Sequence, residues 1–437
     1  MTSPAIDLTA WYAKTGAQPF SERRATMPWR SAVPVPAESV QERWQQLLAT
    51  PAPPRKRLVY LHIPFCATHC TFCGFYQNSY RAEACARYTD YLLRELELEA
   101  HSALHQSAPI HAIYFGGGTP SALAASDLYR IISQLRQTLP LAPDCEITLE
   151  GRVMHFDEER ICASLDAGAN RFSVGIQTFN SAIRQRMGRT SDGEQARRFM
   201  ESLVRHDRAS VVCDLMFGLP GQDAQSWQQD LAIVKEIGLD GVDLYALNLL
   251  PSTPLGKAVA NQRVTLPDHL ERRDLYLMGC EVLADAGWNH ISNSHWARTT
   301  RERNLYNLLI KQGADCLALG SGAGGSLNGY AWMVERNLER YYQAIDQQQK
   351  PLMMLMESPG NDSRWHHQLQ AGIEVGRVPL NQLTDHAATL QPLLDQWHHA
   401  GLTRDTSHCL RLTREGRYWA SNLLQALQQL IPLLNTK

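Results

Sequence analysis

Three thiols stand within eight residues, Cys66, Cys70 and Cys73, in the stretch HIPFCATHCTFCGFY (62–76). The spacing is C-x3-C-x2-C. Ten cysteines in 437 residues are too few for a disulfide scaffold. In a reducing compartment, clustered thiols read as metal ligands or catalysts. The other seven (Cys85, Cys145, Cys162, Cys213, Cys280, Cys316, Cys409) are scattered and read as small buried apolar side chains. A structural zinc site would want a fourth ligand, which His62 or His69 could supply. An iron–sulfur cubane is normally held by four thiolates. Held by three, it keeps one iron open for a substrate to bind. Spacing alone leaves both metals open.

The elements that position these thiols follow from periodicity. Short apolar, β-branched runs occur at 57–63 (RLVYLHI), 111–117 (HAIYFGG), 145–151 (CEITLEG), 171–177 (RFSVGIQ), 211–220 (VVCDLMFGLP) and 242–248 (VDLYALN). Amphipathic segments such as ARYTDYLLRELELEA separate them. Six β–α units in succession predict a parallel sheet with helices outside. Motifs recur at the C-terminal ends of the strands, which favours a partial (β/α)6 TIM-like barrel over a doubly wound sheet. The expected organisation is a leader over 1–55, ended by the Pro-rich VPVPAES and ATPAPPRKR that bracket a short helical stretch, VQERWQQLLA, then the barrel and its extension over 56–350. A small helical, winged-helix-like domain is expected over 351–437.

Net charge is −2 and the pI about 6.8. There is no general basic signal for nucleic acid, and the winged-helix-like end has no concentrated basic face. No apolar run is long enough for a membrane span, and the N-terminus lacks a basic and then apolar signal pattern. The expected location is the cytoplasm.

YFGGGTP (114–120) ends the second strand. Alone it is a tight turn. Its glycines also let the backbone approach a ligand, with the Thr119 hydroxyl beside them. The cysteine motif after YLHIPF, followed about 40 residues on by this loop, resembles the radical S-adenosylmethionine (SAM) superfamily. The resemblance implies a [4Fe–4S] cluster whose open iron is chelated by SAM, and cleavage of SAM to methionine and a 5′-deoxyadenosyl radical. VGIQTFN, DLMFGLPGQ, ISN and LGSGAGG extend the likeness, over about 57–330, to the coproporphyrinogen dehydrogenase-like branch.

Carried over by position, the likeness implies that Cys66, Cys70 and Cys73 hold the cluster. It implies that Tyr60, Gly117 and Glu150 contact the cluster-bound SAM. Phe72, Gly118, Thr119, Gln177, Arg189 and Asp214 match positions that hold a second SAM. Asn248 matches another such position, where the dehydrogenase has Ala. The chemistry is sensible by itself, since strand-end carboxylates accept from hydroxyls and ammonium groups and arginine grips carboxylates bidentately. The ordinary alternative for Glu150 or Arg189 is a surface ion pair. Asp214, flanked by VVC and LMFGLP, is expected to be buried, where an isolated charge is costly.

Phe75 stands where the dehydrogenase has a further cysteine. The haem chaperone of the branch starts almost at the cysteine strand, whereas a leader precedes it here. That leader contains GAQPFSERRATMPWRS (17–32) and is similar to the leader of the anaerobic haem-degrading radical SAM methyltransferases, the anaerobilin synthases. CGFYQNS and GSGAGGSLNGY are similar to the same group. The implied reaction methylates a meso carbon of haem and opens the ring to a linear tetrapyrrole, freeing iron without O₂. A flavodoxin-type electron donor is implied as a partner, with no nucleic acid and no membrane. Chaperone and coproporphyrinogen dehydrogenase functions remain the alternatives. So does a zinc-stabilised barrel with a nucleic-acid-binding winged helix. His290 and His295 are the candidate haem contacts, and Arg23, Arg24 and Arg30 could pair haem propionates.

Overall fold

The computed structural model describes residues 6–24, 32–358, 362–406 and 408–435. The six expected strands form in order: β1 (Arg57–Ile63), β2 (Ile110–Gly117), β3 (Leu141–Gly151), β4 (Arg171–Gln177), β5 (Ser210–Phe217) and β6 (Gly241–Ala246). Each runs parallel to the next. Nearly every residue of β1 is buried, as expected for a strand covered on both faces.

The sheet is larger than six units. A seventh strand, β7 (Asp315–Leu319), pairs parallel to β1 on the side away from β2. Its five residues are all buried and show no alternation, so periodicity cannot separate them from a buried loop. Antiparallel strands extend both edges: Gly324–Leu327, Tyr330–Val334 and Leu352–Glu357 beyond β7, and the hairpin Asn289–His290/His295–Ala297 beyond β6. The two edges do not pair, so the barrel stays open.

Helices between the strands carry strong local signals. Helix Gly193–Arg205 opens on a reciprocal capping box between Asp192 and Gln195. Helix Glu158–Ala167 starts on an Asp157 cap and stops at Gly168, whose φ of 114° suits glycine.

The C-terminal unit places helices Asp362–Glu374, Ala387–His399 and Ala420–Asn435 around a three-stranded antiparallel sheet. These elements follow in the order helix, strand, helix, two strands, helix. Leu352–Glu357 pairs with Tyr330–Val334 in the large sheet. The leader is integral to the fold. Val33–Pro34 adds to the same sheet edge, and Trp44 lies edge-on against Trp332. Further upstream, Trp11 Nε1 donates to Gln429 Oε1 and Phe20 packs on Trp419. Among the described residues, no helix is long and apolar enough to cross a membrane.

Candidate functional site

Cys66 and Cys70 are buried, and Cys73 is partly exposed, in the loop leaving β1. Cys66 Sγ receives the Thr119 hydroxyl at 3.5 Å and Arg152 Nη2 at 3.7 Å. The Phe75 N–H donates to Cys73 Sγ at 3.3 Å. A zinc ion held by these three thiolates would still need a fourth ligand. A cubane seats each thiolate on a different iron and leaves one iron open.

The histidines offered as a fourth zinc ligand are otherwise engaged. His62 has Nδ1 at 3.1 Å from the Tyr60 hydroxyl and Nε2 at 3.4 Å from the Gln77 amide. His69 stacks on Tyr76, with Nε2 on the Cys73 carbonyl. The thiols thus fit an iron–sulfur cluster better than zinc.

The glycine loop packs directly against this chain. Gly117 has φ 109°, and a Cβ on Gly118 would lie 2.5 Å from the Phe65 carbonyl oxygen. The Gly118 N–H donates to the Ile63 carbonyl at 2.7 Å. It serves to fasten the loop and is not a free donor for a ligand. A Cβ on Gly116 would meet Tyr60 at 3.0 Å and Glu150 at 3.3 Å, so this glycine keeps space open between the two. Glu150 accepts from the Tyr114 hydroxyl at 2.7 Å, and burial pushes its carboxyl up.

A second group gathers at the ends of β4 and β5. Gln177 holds a left-handed φ of 69°, and its Oε1 is buried without a partner. Arg189 has a buried, unpartnered Nε, and its guanidinium carbon stands 6.0 Å from the Phe72 ring centroid. A Cβ on Gly175 would lie 3.1 Å from Gln177 Nε2 and 3.5 Å from Arg189 Nη2, so both heads converge over that glycine. Asp214 accepts from the Ser173 hydroxyl at 3.0 Å. Burial, with Asp243 and Glu150 nearby, pushes its carboxyl up to about 7. Buried polar atoms without partners are uncommon in a finished core, and here they mark space shaped for a polar ligand. Asn248 is exposed, two residues beyond the end of β6.

The candidate haem contacts His290 and His295 lie on the two strands of one hairpin, and His290 Nε2 is buried without a partner. His295 sits inside the barrel with Nδ1 at 3.0 Å from Asp243 and Nε2 at 3.1 Å from Glu302, which also pairs with Arg171. Burial alone would lower its pKa, but the two carboxylates outweigh that and push it up to about 9. A doubly engaged imidazolium has no lone pair for iron. His290 pairs across the hairpin with Trp296, stacking on it at 3.9 Å. Directly opposed residues share a face and successive residues alternate, so His290 points away from the side that His295 faces.

Among the leader arginines, Arg23 lines a cavity beside the barrel. Arg24 bonds to Gln425 at the surface, and Arg30 lies outside the described residues. Arg152, Tyr114 and Ser173 were missed by sequence reasoning. The only signal for Arg152 was its place two residues after Glu150 at a strand end.

The profile of the Radical SAM superfamily matches residues 60–233, the span from Tyr60 through β5 and into the helix Ala224–Ile237 that follows it. An anaerobilin synthase from Escherichia coli O157:H7 is 67% identical over 430 residues, covering 98% of this chain and 97% of the relative. The chain belongs to the anaerobilin synthase family of the radical SAM superfamily. A heme chaperone HemW from Synechocystis is 28% identical, covering 76% of this chain and 83% of that one. The solved structure of coproporphyrinogen III oxidase (HemN) from Escherichia coli shares the fold at a TM-score of 0.73 and 22% identity, over 91% of this chain and 96% of that one.

Proposed function

We propose that this radical SAM enzyme of anaerobic haem degradation methylates a haem meso carbon and opens the macrocycle to a linear tetrapyrrole, releasing iron. The observation that carries the reading is near-identity in length and 67% in sequence to an anaerobilin synthase. The pair of polar groupings around one cysteine loop supports it. The cofactors are a [4Fe–4S] cluster and SAM, and reductive cleavage of SAM is the chemistry that the cluster supplies when bound. Cys66, Cys70 and Cys73 would hold it.

Tyr60, Gly117 and Glu150 would receive the cluster-bound SAM. Phe72, Gly118, Thr119, Gln177, Arg189, Asp214 and Asn248 would receive a second SAM, the methyl source. The unpartnered Gln177 Oε1 and Arg189 Nε are available to bind and orient it. Arg189 suits a carboxylate, whereas Asp214 and Glu150 suit hydroxyl or ammonium donors. Electrons would come from a flavodoxin-type donor.

Arg152 and Thr119 donate to the Cys66 sulfur. Hydrogen bonds and positive charge at a cluster sulfur favour the reduced, more negative state. Arg152→Met is therefore expected to lower the cluster potential by on the order of 50 mV, close to a tenfold change for one electron. A redox titration followed by electron paramagnetic resonance reads this directly, and an unchanged potential removes Arg152 from the role.

Anaerobic incubation of reconstituted protein with SAM, reductant and haem, followed by mass spectrometry, tests the whole reading. Expected are loss of haem, a methylated linear tetrapyrrole and 5′-deoxyadenosine. Intact protein-bound haem with little SAM cleavage would instead indicate a chaperone.

A further inference from the structure

A cavity of about 260 Å³ lies where the barrel's β5–β6 side meets the C-terminal unit and the leader. Three cations from separate parts of the chain line it: Arg23 from the leader, Lys311 from the end of helix Leu305–Lys311, and Arg417 from the C-terminal unit. Glu374 is the one acid in the lining. Among the described residues, none of the three cations has a carboxylate within ion-pair distance. The neighbouring Arg273, in the same interface, is paired to Glu415 at 2.6 Å.

Both arginines are fastened at one end with donors to spare. Arg23 gives Nε to the Tyr418 carbonyl at 3.0 Å and rests against the Tyr418 ring; among the described residues neither Nη group has a partner. Arg417 gives one bond from Nη2 to the Val375 carbonyl and one from Nη1 to Asn293. A guanidinium has five N–H donors, so three remain. Three cations against one carboxylate leave an excess of two positive charges in one cleft. Such a site calls for a ligand with two carboxylates.

The cavity adjoins the proposed reaction centre. Tyr245 lines it and lies two residues beyond Asp243 on the same face of β6, and Asp243 stands in register with Asp214.

We infer that Arg23, Lys311 and Arg417 form the subsite that grips the two propionates of the tetrapyrrole substrate. This rests on the haem-degrading reading, and the test separates the two. Haem and its dimethyl ester, which has the same ring without the carboxylates, are titrated anaerobically into full-length protein and followed by the Soret band. The wild type is expected to bind haem at least about tenfold more tightly than the ester. Arg23→Gln and Lys311→Gln should each weaken haem binding several-fold, leave ester binding unchanged, and together bring the two ligands to equal affinity. Arg417 is left in place because it ties Val375 and Asn293. Unchanged ester binding shows that the variants are folded. Equal affinity of the wild type for haem and ester, or a haem-to-ester ratio unmoved in the double variant, overturns the subsite while haem opening by the wild type still stands. Failure of the wild type to bind or open haem overturns both.

Discussion

Cys66→Ala is expected to leave the protein without iron–sulfur absorption after anaerobic reconstitution and without SAM cleavage. Turnover should fall by at least about 10⁴-fold, the scale on which a whole catalytic unit is lost. The reason is local. Cys66 is 1% exposed and takes hydrogen bonds from both Thr119 and Arg152. No neighbour can replace it, since His62 has both ring nitrogens engaged and His69 lies against Tyr76. Removing one buried sulfur atom is a small volume change, so thermal melts of the apo protein should move little. Iron and sulfide content together with 5′-deoxyadenosine yield are the measurements. Full activity in this variant would sink the cluster assignment.

Asp214→Asn is expected to separate methyl transfer from cluster loading. Iron content should match the wild type, while tetrapyrrole formation should drop by on the order of 10²-fold, as for loss of a preorganised polar contact. Equal loss of both would count against a role in holding the second SAM. The same variant should be more stable at alkaline pH. The folded pKa of Asp214 is raised from 3.8 to about 7 by burial and by Asp243 and Glu150. The stability contributed by its neutral form is thus complete below about pH 4 and is lost as pH rises through about 7. Asparagine does not titrate. The variant should therefore be more stable than the wild type at pH 8 and about equally stable at pH 4. Urea melts at the two pH values measure the difference.

Much of the site was legible because its residues sit at strand ends, where runs of β-branched residues stop and glycines begin. β1 and β4 match their predicted bounds (57–63 and 171–177), and the loop after β2 falls where its glycines indicate. β7 was not legible, because five fully buried residues leave no alternation to read. The leader was read as a separate segment because Pro-rich stretches end it. Its contacts with Gln396, Trp397 and Gln429 span more than 380 residues of sequence, and no local pattern reports them. The partners of His295 were not legible for a related reason, since its carboxylate neighbours come from β6 and from a loop residue, Glu302.

By itself the sequence determined the three thiols and their spacing, the repeating β–α rhythm, the glycine loop and the resemblance to haem-acting radical SAM enzymes. These are local properties, set by residue type and short-range periodicity. Only the tertiary structure decided that His62 and His69 are engaged elsewhere and that Arg152 reaches Cys66. The same is true of the burial of Asp214 among other carboxylates and of the meeting of Arg23, Lys311 and Arg417 around one cavity. Distance, burial and charge balance depend on which surfaces face each other, and packing between residues far apart in the chain settles that.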